Sequence, residues 1–192
     1  VTIQDANRCQ ILDSVVLTQP ATALTITSTH TDVTCNNGNN GIVTVAASGG
    51  TGADTYTWNP NVTTTDSIST ATAGVYNITV TDTNACTATT TQTVAQPTAL
   101  TVTETHVNET CYGATQGSIT TTPAGGTTPY TFAWNDGVTT QNRTNILAGT
   151  YTLTVTDQHA CTATITITIT QPASPVLAVV VTNAVCFGGN GS

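Results

Sequence analysis

Six cysteines, three histidines and ten carboxylates are the side chains of this 192-residue chain that could do chemistry. The cysteines are Cys9, Cys35, Cys86, Cys111, Cys161 and Cys186, and no two are spaced as Cys-x-x-Cys. Zinc sites need close ligand pairs, which this pattern lacks. Disulfides in an oxidising compartment fit it better. His30 and His106 stand in equivalent strands and read as exposed polar residues, and His159 has no nucleophile beside it in sequence. Asp66-Ser67 is the nearest thing to an acid–hydroxyl pair. No Ser/His/Asp or Cys/His set is placed consistently along the chain, so no catalytic residue and no enzymatic activity are expected. Asp82 and Asp157 occupy equivalent turns, near Asn84 and Gln158. Calcium takes oxygen ligands of this kind, so these two are the candidate metal ligands. The alternative is that each carboxylate caps its own turn. No other cofactor is expected.

Composition narrows the partners. Charged residues are 6% of the chain, with ten acids against two arginines, no lysine, and a net charge of −8. Gripping phosphates requires Lys or Arg, so nucleic acid and anionic membrane surfaces are poor partners. No apolar run is long enough to span a bilayer, and the residues from Val1 onward are expected in a strand rather than a leader peptide. About a quarter of the residues are threonine. This β-branched residue suits a half-buried pleated surface, so the chain reads as all-β.

The elements that would position these residues are copied along the chain. Gln-Pro recurs at Gln19-Pro20, Gln96-Pro97 and Gln171-Pro172, with spacings of 77 and 75. Cys35, Cys111 and Cys186 each open an Asn/Gly-rich loop, at spacings of 76 and 75. Cys9, Cys86 and Cys161 each precede a Gln-Pro proline by 11 residues. Trp58 and Trp134 follow a loop cysteine by 23, and Tyr76 and Tyr151 precede the next cysteine by 10. The expected domains are therefore the end of one repeat over 1–20, full repeats over 21–97 and 98–172, and the start of another over 173–192.

Within 21–97, ALTITSTHTDVTC alternates apolar and polar residues as a strand with one exposed face does. GIVTVAASGG follows a turn cluster, with Val43 and Val45 inward, and YTWNP places Tyr56 and Trp58 on one face. TTTDSIST predicts one or two short strands, and AGVYNITVTD puts Tyr76, Ile78 and Val80 on one face. TATTTQTVAQ returns, with Pro97 stopping the strand. About seven short strands in some 75 residues predict an immunoglobulin-like β-sandwich, repeated in tandem along an elongated array. Trp58, Trp134, Tyr76 and Tyr151 are the expected core plugs, the tyrosines standing where a tyrosine corner would.

The run CYGATQGSITTTPAGGTTPYTFAWNDG, followed by LAGTYTLTVTDQHAC, resembles the SprB-type repeat of Bacteroidota surface adhesins, which is related to PKD and other Ig-like modules. The first repeat departs from it with Asn36-Asn37 after its cysteine, Asp54 for Tyr130 and Pro60 for Asp136. The resemblance implies a large secreted cell-surface protein serving adhesion or gliding motility. A structural stalk or filament region is the function expected. Its partners would be neighbouring repeats, and beyond them other copies in a fibre or surface glycans. Ser14 in Asp-Ser-Val and Ser67 in Asp-Ser-Ile resemble the O-glycosylation motif of the same bacteria. Asn61, Asn77, Asn108 and Asn142 fit the N-x-Thr pattern. The rival function is a set of carbohydrate-binding modules, for which Tyr112, Tyr130 and Phe187 are the candidate stacking platforms.

In a sandwich of standard strand order, the loop after the first strand and the turn between the last two lie at opposite poles. A ten-residue strand spans roughly 33 Å, whereas disulfide Cα atoms lie within about 7 Å. In a head-to-tail array this geometry favours Cys35 with Cys161, leaving Cys9, Cys86, Cys111 and Cys186 to partners outside the chain. The alternatives are Cys35–Cys86 with Cys111–Cys161, or links between strands of a fibre. Lysine-based isopeptide locks are excluded, because lysine is absent.

Overall fold

The computed structural model describes residues 1–14, 16 and 22–180. Cys186, Phe187 and the Gln19-Pro20 pair lie outside the described residues. Among the described residues there is no helix, and so none long and apolar enough to cross a membrane. The described residues form fourteen strands in five small sheets, and the chain divides into two compact units, 1–99 and 100–192. The chain is an all-β protein of tandem Ig-like sandwiches.

The first unit opens with a hairpin, β1 (Thr2–Gln4) and β2 (Gln10–Leu12), whose residues are exposed throughout. Its sandwich has six strands: β3 (Thr25–Thr31), β4 (Gly41–Ser48), β5 (Thr55–Asn59), β6 (Ser67–Ala71), β7 (Gly74–Thr81) and β8 (Thr87–Val94). One sheet has the order β3-β4-β6 and the other β5-β7-β8, every pairing antiparallel. Alternation sets the faces. Val43 and Val45 of one sheet meet Trp58, Tyr76, Ile78 and Val80 of the other across the core. Outward stand cross-strand pairs such as Thr79 with Thr89 and Thr81 with Thr87.

The second unit repeats this with β9 (Thr101–Val107), β10 (Gly117–Ala124), β11 (Thr131–Trp134), β12 (Arg143–Ile146), β13 (Gly149–Thr156) and β14 (Thr162–Ile169). Its sheets are β12-β10-β9 and β11-β13-β14. Ile119, Trp134, Ile146, Leu153, Val155, Ile167 and Ile169 form its core.

Each sandwich has six strands rather than about seven. TTTDSIST yields only β6, because Thr63 to Thr65 are held in a local turn in which the Thr63 hydroxyl accepts from the Thr65 amide at 3.1 Å. The last strand ends at Val94, three residues before Pro97. What ends it is a hand-over: the Ala95 amide donates to Asp32 Oδ1 at 2.7 Å, and the Ala95 carbonyl accepts from Val33 N at 3.1 Å.

The two cores are not equally apolar. The register pairs Val43 with Ile68 in the first unit and Ile119 with Arg143 in the second, so Arg143 takes the place of Ile68. It forks onto Asp136 at 3.0 and 2.7 Å and lies 5.3 Å from the ring centres of both Trp134 and Tyr151. That pairing holds the Asp136 carboxyl below its usual range. Thr121 stands where the first unit has Val45, fully buried and bonded through its hydroxyl to the Gln141 carbonyl at 2.9 Å. Glu109 stands where the first unit has Val33. Both residues are buried, at 5% and 3% exposure, and neither carboxyl oxygen of Glu109 has a hydrogen-bond partner.

Candidate functional site

The recurring residues gather at the two poles of each sandwich. At one pole β7 turns into β8, and β13 into β14. Here the Asp82 carboxylate accepts through Oδ1 from Asn84 N at 2.9 Å and Cys86 N at 2.8 Å. Asp157 does the same with His159 N and Cys161 N, both at 2.9 Å. The fourth turn residue, Ala85 or Ala160, has φ near +60° and closes the turn onto the aspartate carbonyl. The hairpin of β1 and β2 has the same device in Asp5, Arg8 and Cys9.

The remaining oxygen explains the Gly-Gly-Thr sequences. Oδ2 of Asp82 accepts from Thr51 N, and Oδ2 of Asp157 from Thr127 N, each at 2.9 Å. A Cβ on Gly50 would lie 3.0 Å from Asp82 Oδ2, and one on Gly126 would lie 2.7 Å from Asp157 Oδ2. Both glycines also have positive φ, which a side chain would strain. Donation from Cys86, then Thr51 and Asn84, holds the Asp82 carboxyl below its usual range against the pull of burial. For Asp157 burial is the largest single influence and raises the pKa. The amides of Thr127, Cys161 and His159, with the His159 charge, outweigh it together and lower it. Each carboxylate thus accepts three N–H groups, and among the described residues no cluster of acids, histidines and cysteines is arranged to hold a metal ion.

At the other pole the cysteine loops fold back on the Gln-Pro segments. Gln96 Oε1 accepts from Asn37 N at 2.7 Å, and the Pro97 carbonyl from Asn36 Nδ2 at 3.1 Å. In the second unit Gln171 Oε1 accepts from Gly113 N at 2.8 Å. The glutamine of each repeat therefore latches the loop that its cysteine opens.

Cys35 and Cys161 are disulfide-bonded, whereas Cys9, Cys86 and Cys111 are exposed free thiols. Cys35–Cys86 and Cys111–Cys161 bonds are therefore not formed.

Trp58 and Trp134 seal the cores at 1% and 4% exposure, and their indole N–H groups donate to the Thr65 and Thr140 carbonyls, both at 2.8 Å. The Tyr76 hydroxyl donates to the Thr72 carbonyl and the Tyr151 hydroxyl to the Leu147 carbonyl, both at 2.9 Å, so each unit has a tyrosine corner. Tyr76 is buried edge-on against Trp58, whereas Tyr151 is half-buried under Arg143. Ser14 and Ser67 are exposed, and the Ser67 hydroxyl is 3.2 Å from Asp66 Oδ1. Tyr112 is exposed, while the half-buried Tyr130 donates its hydroxyl to the Gly125 carbonyl at 2.6 Å.

One grouping had no signal in the repeat pattern. Ser28 and His30 of β3 meet Gln92 of β8 in the first unit alone. The Ser28 hydroxyl donates to Gln92 Oε1 at 2.8 Å, His30 Nδ1 is hydrogen-bonded to Gln92 Nε2, and His30 Nε2 is 3.5 Å from Asp32 Oδ1. Pairing the first strand of the sandwich with the last would have found it.

Residues 27–63 and 103–139 each match the SprB repeat family. The SprB repeat model thus matches this chain twice, once in each sandwich. The matched stretches run from the first strand of each sandwich past the third, and take in Cys35, Cys111, Trp58 and Trp134. The tyrosine corners and the turns at Asp82 and Asp157 fall outside them. No curated protein matches the chain by sequence. Among solved structures, one on the basis of Dscam isoform specificity is 15% identical, with a TM-score of 0.33, covering 68% of this chain and 41% of its own. The N-terminal four Ig domains of Dscam1 isoform 9.44 are 12% identical, with a TM-score of 0.37, covering 82% and 48%. An amphioxus IgVJ-C2 molecule is 15% identical, with a TM-score of 0.32, covering 83% and 93%. The chain thus spans less than half the length of the two Dscam structures.

Proposed function

We propose that this repeat region is a load-bearing, non-catalytic stalk of an extracellular surface adhesin, and that disulfides between successive SprB repeats stiffen it. The observation that supports this is the oxidation pattern. Cys35 and Cys161 are oxidised, while Cys86 and Cys111, their companions in the same units, remain thiols. A bond from Cys35 to Cys161 accounts for that asymmetry. The same rule sends Cys111 to the turn cysteine of a following repeat, and Cys86 to the loop cysteine of a preceding one. A staple of this kind fixes the angle between neighbouring sandwiches and turns a flexible string into a rod. A disulfide joint of this kind needs an oxidising compartment, which supports the extracellular reading.

The latches and turns described above present the cysteines on rigid backbone, as a repeated covalent joint requires. Peptide mapping of the unreduced chain tests the proposal. A linked peptide carrying Cys35 and Cys161 is the expected product, and one carrying Cys35 and Cys86 overturns it.

A further inference from the structure

The geometry points to a self-catalysed ester bond between Ser28 and Gln92, locking the first strand of the first SprB repeat to its last. The two side chains face each other between the sheets, half-buried, where β3 and β8 run side by side. The Ser28 hydroxyl is held on the Gln92 carboxamide by the 2.8 Å bond to Oε1, with the Thr90 hydroxyl 3.4 Å away. Holding nucleophile and acyl carbon together supplies much of the entropy an acyl transfer needs. His30 is bonded to the other end of the same carboxamide, the Nε2 that would leave. Asp32 stands behind the ring.

The reaction balances with nothing added. Ser28 Oγ attacks Gln92 Cδ, the Oγ–Cδ bond forms and the Cδ–Nε2 bond breaks. The hydroxyl proton, which the Ser28 donation directs at Oε1, ends on the departing nitrogen that His30 contacts, and ammonia leaves. His30 is a catalytic residue, since it touches the leaving group. Asp32 is a positioning residue for the imidazole. No lysine is required, in a chain that has none.

The second repeat is a built-in comparison. The same register places Glu104 where Ser28 stands and Ile167 where Gln92 stands. There His106 turns to Glu104 at 3.0 Å, and no ester can form.

The test is mass spectrometry of the intact folded chain after reduction, followed by peptic mapping and hydroxylamine treatment. The expected result is the loss of one ammonia, a joined peptide carrying Ser28 and Gln92, and its cleavage by hydroxylamine. Ser28→Ala and Gln92→Ala should abolish the link while circular dichroism shows the sheets intact. His30→Ala should slow its formation about 10²–10⁴-fold. Asp32→Asn keeps an oxygen for the Ala95 amide, as Asn108 does for Thr170 N, so slower ammonia loss in that variant reports on positioning alone. A folded wild-type chain that keeps its full mass on prolonged incubation overturns the proposal. So does an ammonia loss that maps to an asparagine.

Discussion

Glu109 offers the sharpest test of how the second sandwich is built. Its side chain is buried at 5% exposure with both carboxyl oxygens unpartnered, where the first sandwich buries Val33 at 3%. The substitution Glu109→Val copies the first unit into the second. An unsatisfied buried polar group costs about 1–3 kcal/mol, and more if charged. Removing it while keeping an apolar side chain of the size the other unit accepts should therefore stabilise the second sandwich by about 1–3 kcal/mol. For a domain of this length that is worth about 4–8 °C in Tm per kcal/mol.

The assay can be confined to one unit, because each sandwich holds one tryptophan. In a Trp58→Phe background, Trp134 fluorescence follows the second unit alone. The reciprocal Val33→Glu should lower the first unit's transition, read from Trp58 in a Trp134→Phe background. If Glu109→Val leaves the second transition unmoved or lowers it, the reasoning from unpaired burial is wrong.

Acid should unfold both sandwiches by a shared route. The Asp82 and Asp157 carboxyls are held below their unfolded pKa of about 3.9, so their contribution is fully present above that value and is lost as pH falls through the folded pKa. Tm should be flat above pH ~5 and drop below pH ~4, a limb that Asp82→Asn and Asp157→Asn should shrink. Gln96→Ala and Gln171→Ala should each cost about 0.5–1.5 kcal/mol and speed hydrogen exchange at the Asn37 and Gly113 amides. Gly126→Ala should destabilise the second unit more than Gly137→Ala, since only the first forces a Cβ onto Asp157 Oδ2. Ile78→Ala and Leu153→Ala empty fully buried sites and should cost about 2–5 kcal/mol each in thermal melts.

The sandwich was legible because its code is local. Alternation along GIVTVAAS and GVYNITVT states which side chains turn inward, and copies 75 to 77 residues apart state where a unit recurs. What sequence hid falls into three kinds. The polar replacement of Ile68 by Arg143 emerges only once strand register fixes equivalence, because the copy spacing slips from 76 to 75 between Trp134 and Tyr151. The grouping of Ser28, His30 and Gln92 was invisible because Gln92 lies more than 60 residues from the other two. The grouping is also confined to one repeat, so the copy pattern carries no trace of it. The turn aspartates were legible as turn formers, but that their second oxygen reaches a Gly-Gly loop some 30 residues upstream required the fold.

The neighbouring positions of β3 and β8 bear on how the first repeat answers tension. Contacts climb both strands together, from Ser28 with Thr90 and Gln92, through His30 with Gln92, to Asp32 and Val33 with Ala95. The two strands therefore run the same way, and a pull entering ahead of Thr25 and leaving past Pro97 slides one along the other. Every contact between them is then strained at once, as in a lap joint, rather than peeled one at a time. The Gln96 latch sits at the trailing end of that joint, so the loop holding Cys35 feels the force before the core does.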